Sequence, residues 1–209
     1  MIDKIIFDKV SLSFAENKIF ENISLTLNAG KVIVITGANG SGKSTFLKLA
    51  GQFIQPDSGT INVFEGNNKI DRIDFRRKIA AVAPNMTLYS ELTAVENINF
   101  FTRLKDIVLT DSEIEHLLRR VNLDLENKNK LVGSFSTGMI QRLKFAILIA
   151  VKADVLLLDE PSSNLDEAGK NIILDEIKRT ARNGKLILLA TNDNDEVKIG
   201  NAIISLPLH

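Results

Sequence analysis

The sequence contains no cysteine, which excludes disulfides, zinc–thiolate centres and thiol nucleophiles together. It has no surplus of either charge: Lys and Arg total 26, Asp and Glu total 26, and the isoelectric point is about 6.8. Duplex-binding proteins draw their affinity from Lys and Arg on phosphates and carry a basic excess, so no nucleic-acid partner is expected. Long apolar runs are missing too. The most apolar stretches, 145–151 and 186–190, are flanked by Lys144, Lys152 and Lys185 and fall far short of the ~20 residues of a membrane span. The start, Met1-Ile2-Asp3-Lys4, has an early acid and no signal-like apolar block. Internal repeats and low-complexity tracts are likewise lacking. What is present is a globular mixture, 44% hydrophobic and 25% charged over 209 residues. That suits one large domain or two tightly joined lobes, made and kept in the cytoplasm.

Two early segments alternate. Residues 9–14 place Val10, Leu12 and Phe14 on one face, and 22–27 do the same with Ile23, Leu25 and Leu27, which predicts half-buried antiparallel strands. From 31 to 35 the chain is apolar without alternation, as in a strand buried on both faces of a parallel sheet. The same signature returns at 155–158 and 186–189. Helical stretches lie between, so a mainly parallel sheet with crossover helices is expected. The middle differs. Thr93 with Glu96, and Thr110 with Glu113, are capping boxes that each open a helix. Ile114, Leu117, Leu118 and Val121 then make one apolar stripe, a further helix is expected over 138–150, and 127–130 reads as a loop. The expected α/β architecture is a core over 1–85 and 151–209, with N-terminal antiparallel strands and a helical lobe inserted at 86–150.

Gly37-Ala38-Asn39-Gly40-Ser41-Gly42-Lys43-Ser44 fits G-x-x-x-x-G-K-[ST], between the buried strand and the helical run that begins at Thr45. Glycines let successive backbone N–H groups wrap phosphates, and the helix N-terminus adds partial positive charge. Lys43 then reaches the β- and γ-phosphates, and the Ser44 hydroxyl ligates Mg2+. A second strand, 155–158, ends in Asp159-Glu160. Acids at the carboxyl end of a parallel strand lie where open α/β sheets bind ligands. Asp159 is placed on magnesium, and Glu160 as general base on the attacking water.

With these motifs in this order, the chain resembles the ATP-binding cassette of ABC transporters, a P-loop NTPase, over nearly all its length. Phe135-Ser136-Thr137-Gly138-Met139 with Gln141-Arg142 resembles the family signature. The resemblance implies that Ser136, Thr137 and Gly138 contact the γ-phosphate of ATP held by a second cassette. It implies also that Phe14 stacks on adenine, and that Asp166, in Ser163-Asn164-Leu165-Asp166, organises both sites across the dimer. Pro56-Asp57-Ser58-Gly59-Thr60 matches a turn that leads into the next strand. Two positions depart from the pattern. Asn85, after the strand expected at 79–83, stands where the family usually has a Gln on magnesium and water. Asn192, after Thr191, stands where it usually has a His on the γ-phosphate; Asn can donate a hydrogen bond but does not titrate.

The resemblance implies an ATPase subunit that needs ATP and Mg2+, pairs with a second ABC ATPase subunit, and drives a separate transmembrane permease from the cytoplasmic face. The permease is expected to dock beside 85–92, including Tyr89. The compact length is similar to that of the haem-exporter ATP-binding subunit. Two other readings stand beside this one: an ATP-gated binding module with little turnover, and a soluble ABC ATPase outside transport.

Overall fold

The protein, described here by a computed structural model, is seen over residues 1–15 and 17–208. It divides into two compact units, one of 1–81, 154–160 and the chain from Ile177, the other of 82–153 and 161–176.

The first unit holds two sheets. One is formed by β1 (Lys4–Phe14), β2 (Asn17–Asn28), β4 (Ser58–Glu65) and β5 (Asn68–Ile70), in the order β2-β1-β4-β5 and antiparallel throughout. The other contains β3 (Val32–Thr36), β6 (Ile79–Val82), β7 (Val155–Asp159), β8 (Leu186–Ala190) and β9 (Ala202–Ser205), in the order β6-β7-β8-β3-β9. In this second sheet β8 runs parallel to both β3 and β7, and β9 parallel to β3. The continuous apolar runs of β3, β7 and β8 are buried on both faces, as strands between helical layers are. The helices of this unit include α1 (Lys43–Ala50), α2 (Arg72–Arg77) and α7 (Asn194–Lys198). Phe46 of α1 stacks on Phe7 at 5.4 Å between ring centroids and meets Phe20 edge-on at 6.0 Å. Three fully buried rings thus pin the helix that follows the glycine-rich loop onto β1 and β2.

The first strand begins five residues earlier than its alternation indicates. Ile5 and Phe7 are buried at odd positions, whereas Val10 and Leu12 are buried at even ones. The parity changes at Lys9, whose φ of 49° is left-handed, and the register with both β2 and β4 shifts there. Such a bulge resets which face each side chain takes. Asn22, at φ 51°, lies between the buried Phe20 and Ile23 of β2 in the same way. Further register shifts follow in β1, and Phe14 ends it 51% exposed rather than on the face of Val10 and Leu12. Residues 58–60, expected to complete a turn, already form the start of β4.

The second unit is helical, with α3 (Ala94–Arg103), α4 (Asp111–Arg120), α5 (Thr137–Ala150) and the first part of α6 (Glu167–Arg182). Both capping boxes form as expected: Thr93 and Glu96 at α3, Thr110 and Glu113 at α4. Ile114, Leu117, Leu118 and Val121 are buried. Among the described residues, no helix is long and apolar enough to cross a membrane.

Two expectations follow. Gly59 sits at φ +81°, and a Cβ there would fall onto the carbonyl of Lys9. Gly59→Ala therefore combines left-handed strain with a backbone clash, and urea unfolding should show a loss of about 2–4 kcal/mol. The second concerns Glu65, which accepts a hydrogen bond from Lys78 at 2.7 Å and another from the Met1 ammonium. These contacts, that of Lys78 foremost, hold its carboxyl down to about 2 from an ordinary 4.5. A depressed carboxylate contributes stability that is fully present above its unfolded value and lost as pH falls through its folded value. Wild type should exceed Glu65→Gln in melting temperature by a constant margin between about pH 5 and 7, and the margin should vanish by about pH 2.

Candidate functional site

In the first unit the carboxyl ends of β3, β7 and β8 carry the glycine-rich loop, the acidic pair and Asn192 respectively. Gly37, Ala38, Asn39, Gly40, Ser41 and Gly42 form the loop, and Lys43, Ser44 and Thr45 the first turn of α1. Gly42 caps the helix at φ +98°, where a Cβ would meet Ile19 Cγ2 at 2.8 Å, so only glycine fits this junction. Ser44 Oγ donates to Asp159 Oδ2 at 2.6 Å. The next residue, Glu160, is exposed on a left-handed backbone at φ 48°, its N–H donating to Ala190 O at 2.9 Å. A non-glycine residue held there costs of order 1 kcal/mol or more, and such strain gathers at functional sites.

Lys43 is 8% exposed, and its ammonium donates to Gly37 O at 2.7 Å and to Ala38 O at 3.2 Å. Beside it lies Asn192. The surrounding donors and acceptors are satisfied when its Nδ2 faces Gly37 O at 2.7 Å and Thr191 O at 3.2 Å, with Oδ1 accepting from Lys43 Nζ at 3.2 Å. The side-chain amides of Asn192 and Asn39 meet at 3.0 Å.

Helix N-termini distinguish two segments from the rest. Among the described residues α2, α3, α4, α6 and α7 carry an acid in the first turn. Neither α1 nor α5 does. Acids there satisfy the free N–H groups and the dipole from within; without them, the helix start is open to an external anion. These two helices open at the glycine-rich loop and at Ser136.

Ser136, Thr137, Gly138, Asp166 and Asn85 belong to the second unit. Ser136 caps α5, its Oγ accepting from Met139 N at 3.2 Å. Gln141, buried, donates to Pro161 O at 2.5 Å. Arg142 donates through Nη2 to Asp166 Oδ1 at 2.9 Å, and through Nη1 to Val121 O and Asn122 O. Asp166 Oδ1 also accepts from Gly169 N at 3.0 Å, capping α6. Gln141 and Arg142 thus tie α5 to the segment 161–166. The sequence marks the two residues as part of a signature without disclosing these bonds. Asn85 is exposed at the corner of a turn closed by Met86 N on Ala83 O at 3.0 Å.

Sequence reasoning also passed over Asn97. It is fully buried in α3, accepts from Tyr89 N at 2.9 Å and donates to the carbonyls of Tyr89 and Thr93 at 3.0 Å each. The signal was a polar residue on the helix face that carries Ala94 and Ile98. Tyr89, 46% exposed, packs edge-on against Phe100 with centroids 4.7 Å apart.

A lysine, a hydroxyl and a carboxylate gathered at the carboxyl ends of parallel strands, beneath an anion-ready helix, define a P-loop nucleotide-binding protein. The ABC transporter family model matches residues 20–163. The chain is 32% identical to the ABC transporter ATP-binding protein YybJ of Bacillus subtilis (strain 168), over 86% of this chain and 81% of that one. It is 29% identical to the ergothioneine transport ATP-binding protein EgtV of Helicobacter pylori (strain G27), over 95% and 94%. The dimeric post-hydrolysis structure of the ATP-binding cassette MJ0796, bound to ADP and Pi, superimposes with a TM-score of 0.83 at 26% identity, covering 97% of this chain and 94% of that one. The chain belongs to the ABC transporter ATP-binding cassettes, a class of ATPases.

Asp166→Ala removes an N-cap together with the partner of Arg142. Thermal unfolding should register about 1 kcal/mol of lost stability, most of it restored in Asp166→Asn, which keeps an accepting oxygen.

Proposed function

We propose that this chain hydrolyses ATP as one of two cassettes that close head to tail and power a separate membrane permease. The observation that carries the reading is the cluster of Lys43, Ser44 and Asp159 at the strand ends, with Ser44 and Asp159 2.6 Å apart. Hydroxyl and carboxylate oxygens are the donor set of a hard divalent cation, so Ser44 and Asp159 would hold magnesium. Magnesium there supplies neutralisation of charge shared by the β- and γ-phosphates.

Lys43 and the N–H groups of 37–45 bind the phosphates, and exposed Phe14 stacks on adenine. Glu160 orients the attacking water and takes its proton. Asn85 adds an amide to the water and metal, and Asn192 one to the γ-phosphate. Ser136, Thr137 and Gly138 open an acid-free helix, which supports their use as the anion site for ATP held by the partner cassette, with Asp166 at the interface. The dimeric form of MJ0796 supports that pairing. The permease docks on 85–92, where Asn97 holds the backbone and Tyr89 offers an exposed ring, and the protein works on the cytoplasmic face of the membrane.

The test is magnesium-dependent ATPase activity across protein concentration. Activity should rise faster than linearly, and Glu160→Gln should lower kcat by ~10²-fold or more, the scale for a general base, while leaving ATP affinity intact. A rate linear in concentration, or unaffected by Glu160→Gln, would count against the reading.

A further inference from the structure

A cavity of about 390 Å³ in the first unit lies between the chain leaving α1, the strands β4 and β5, and the start of α2. Among the described residues its walls include Lys69 and Arg72 and no acid. The acids of this stretch of chain are engaged elsewhere. Asp57 accepts from Ser13 N at 2.7 Å, Asp71 caps α2 through Ile73 N and Asp74 N, Asp74 lies 3.9 Å from Arg77, and Glu65 accepts from Lys78. Neither Lys69 nor Arg72 pairs with a carboxylate among the described residues.

Arg72 is held in place by a neutral oxygen. Helix α1 ends in a double turn, Gln52 N donating to Leu49 O at 2.9 Å and Phe53 N to Lys48 O at 2.8 Å. Such an ending usually places glycine at the left-handed position; here Gln52 occupies it at φ 53°. Its side chain donates to Ile61 O of β4 at 3.0 Å, and its carbonyl accepts from Arg72 Nε and Arg76 Nη2 at 2.9 Å each. Closing α1 thus uses one of the five N–H groups of Arg72. Its Nη groups, the planar fork, make no bond among the described residues.

We propose that this cavity binds a small organic phosphate, with its phosphate group between Arg72 and Lys69. A guanidinium fork matches two phosphate oxygens, and an ammonium adds a point charge. A phosphate monoester carries close to two negative charges at neutral pH, which answers two cations better than a single carboxylate does. The cavity has the size of a small-molecule site, with room for more than the phosphate. Gln55, Thr60 and Asn62 line it with amides and a hydroxyl suited to a hydroxylated body, and Asn62 Nδ2 already donates to Thr60 Oγ1 at 3.1 Å. The site shares no residue with the loop at 37–45. Two sources present this chemistry: a free phosphorylated metabolite and a phosphomonoester headgroup at a membrane surface.

The experiment is equilibrium dialysis of the full chain against radiolabelled glycerol 3-phosphate, beside sedimentation with phosphatidylcholine vesicles that contain or lack phosphatidic acid. Saturable binding in dialysis marks the free ligand; binding only to vesicles with phosphatidic acid marks the headgroup. In whichever arm binds, Arg72→Gln should weaken the affinity about tenfold or more, the scale of a lost charge-assisted hydrogen bond. Lys69→Glu reverses a charge at an exposed strand position, where the fold does not depend on it, and should abolish binding. A Lys43→Ala protein with unchanged circular dichroism should bind as the parent does. Absence of binding in both arms overturns the proposal. So does binding that Lys69→Glu and Arg72→Gln leave intact, or that Lys43→Ala alone removes, which would assign the probe to the glycine-rich loop.

Discussion

The hydrogen bond from Ser44 to Asp159 joins the first turn of α1 to the end of β7, and the usefulness of everything around it depends on that junction. The hydroxyl comes from the helix that follows one strand, the carboxylate from another strand two places along the sheet, with β8 between. For the two oxygens to meet, β3, β7 and β8 must be parallel and buried in correct register, and α1 must lie flush over them. Phe7 of β1, stacked on Phe46 of α1, and Phe20 of β2, edge-on to it, meet the last requirement. The antiparallel sheet therefore serves this junction indirectly, as the surface against which the helix after the glycine-rich loop is pressed.

In the second unit the corresponding constraint is the pair Gln141 and Arg142. A helix start open to an anion is useful only if it is aimed, and these side chains fix α5 to 161–166 through a buried amide and a guanidinium that also gathers the carbonyls behind α4. The segment they hold begins directly after Glu160 in the chain.

Much of this was legible in the sequence because it is encoded locally. Capping boxes need two residues three apart, buried parallel strands need a short apolar run, and the phosphate loop needs glycines at fixed spacing; Thr93, Thr110, Val155 and Gly42 each satisfied such a local rule. Where a rule was interrupted, the reading failed. Lys9 and Asn22 turn left-handed inside strands, so the alternation that would have revealed β1 from Lys4 is broken midway and reads as a shorter strand. Short β5, β9, α2 and α7 carry too few residues for any period to show. The partners of Asn97, Arg142 and Asn192 lie on other segments, and no local pattern announces them. In the case of Asn192 the sequence pointed to a missing imidazole and could not disclose the lysine against which the amide rests.

Glu160 closes the buried strand β7 in a conformation that glycine or asparagine adopts far more readily than glutamate. The peptide turns immediately after Asp159, so two successive acids from one strand diverge: Asp159 toward α1, and Glu160 out into solvent. An extended backbone would also have separated them, but only by sending them to opposite faces of a sheet that is covered on both. The left-handed turn gives adjacent carboxylates different surroundings without a second element. Local stability has been traded for direction, and optimising this residue for the fold alone would remove the carboxylate that the turn presents to solvent.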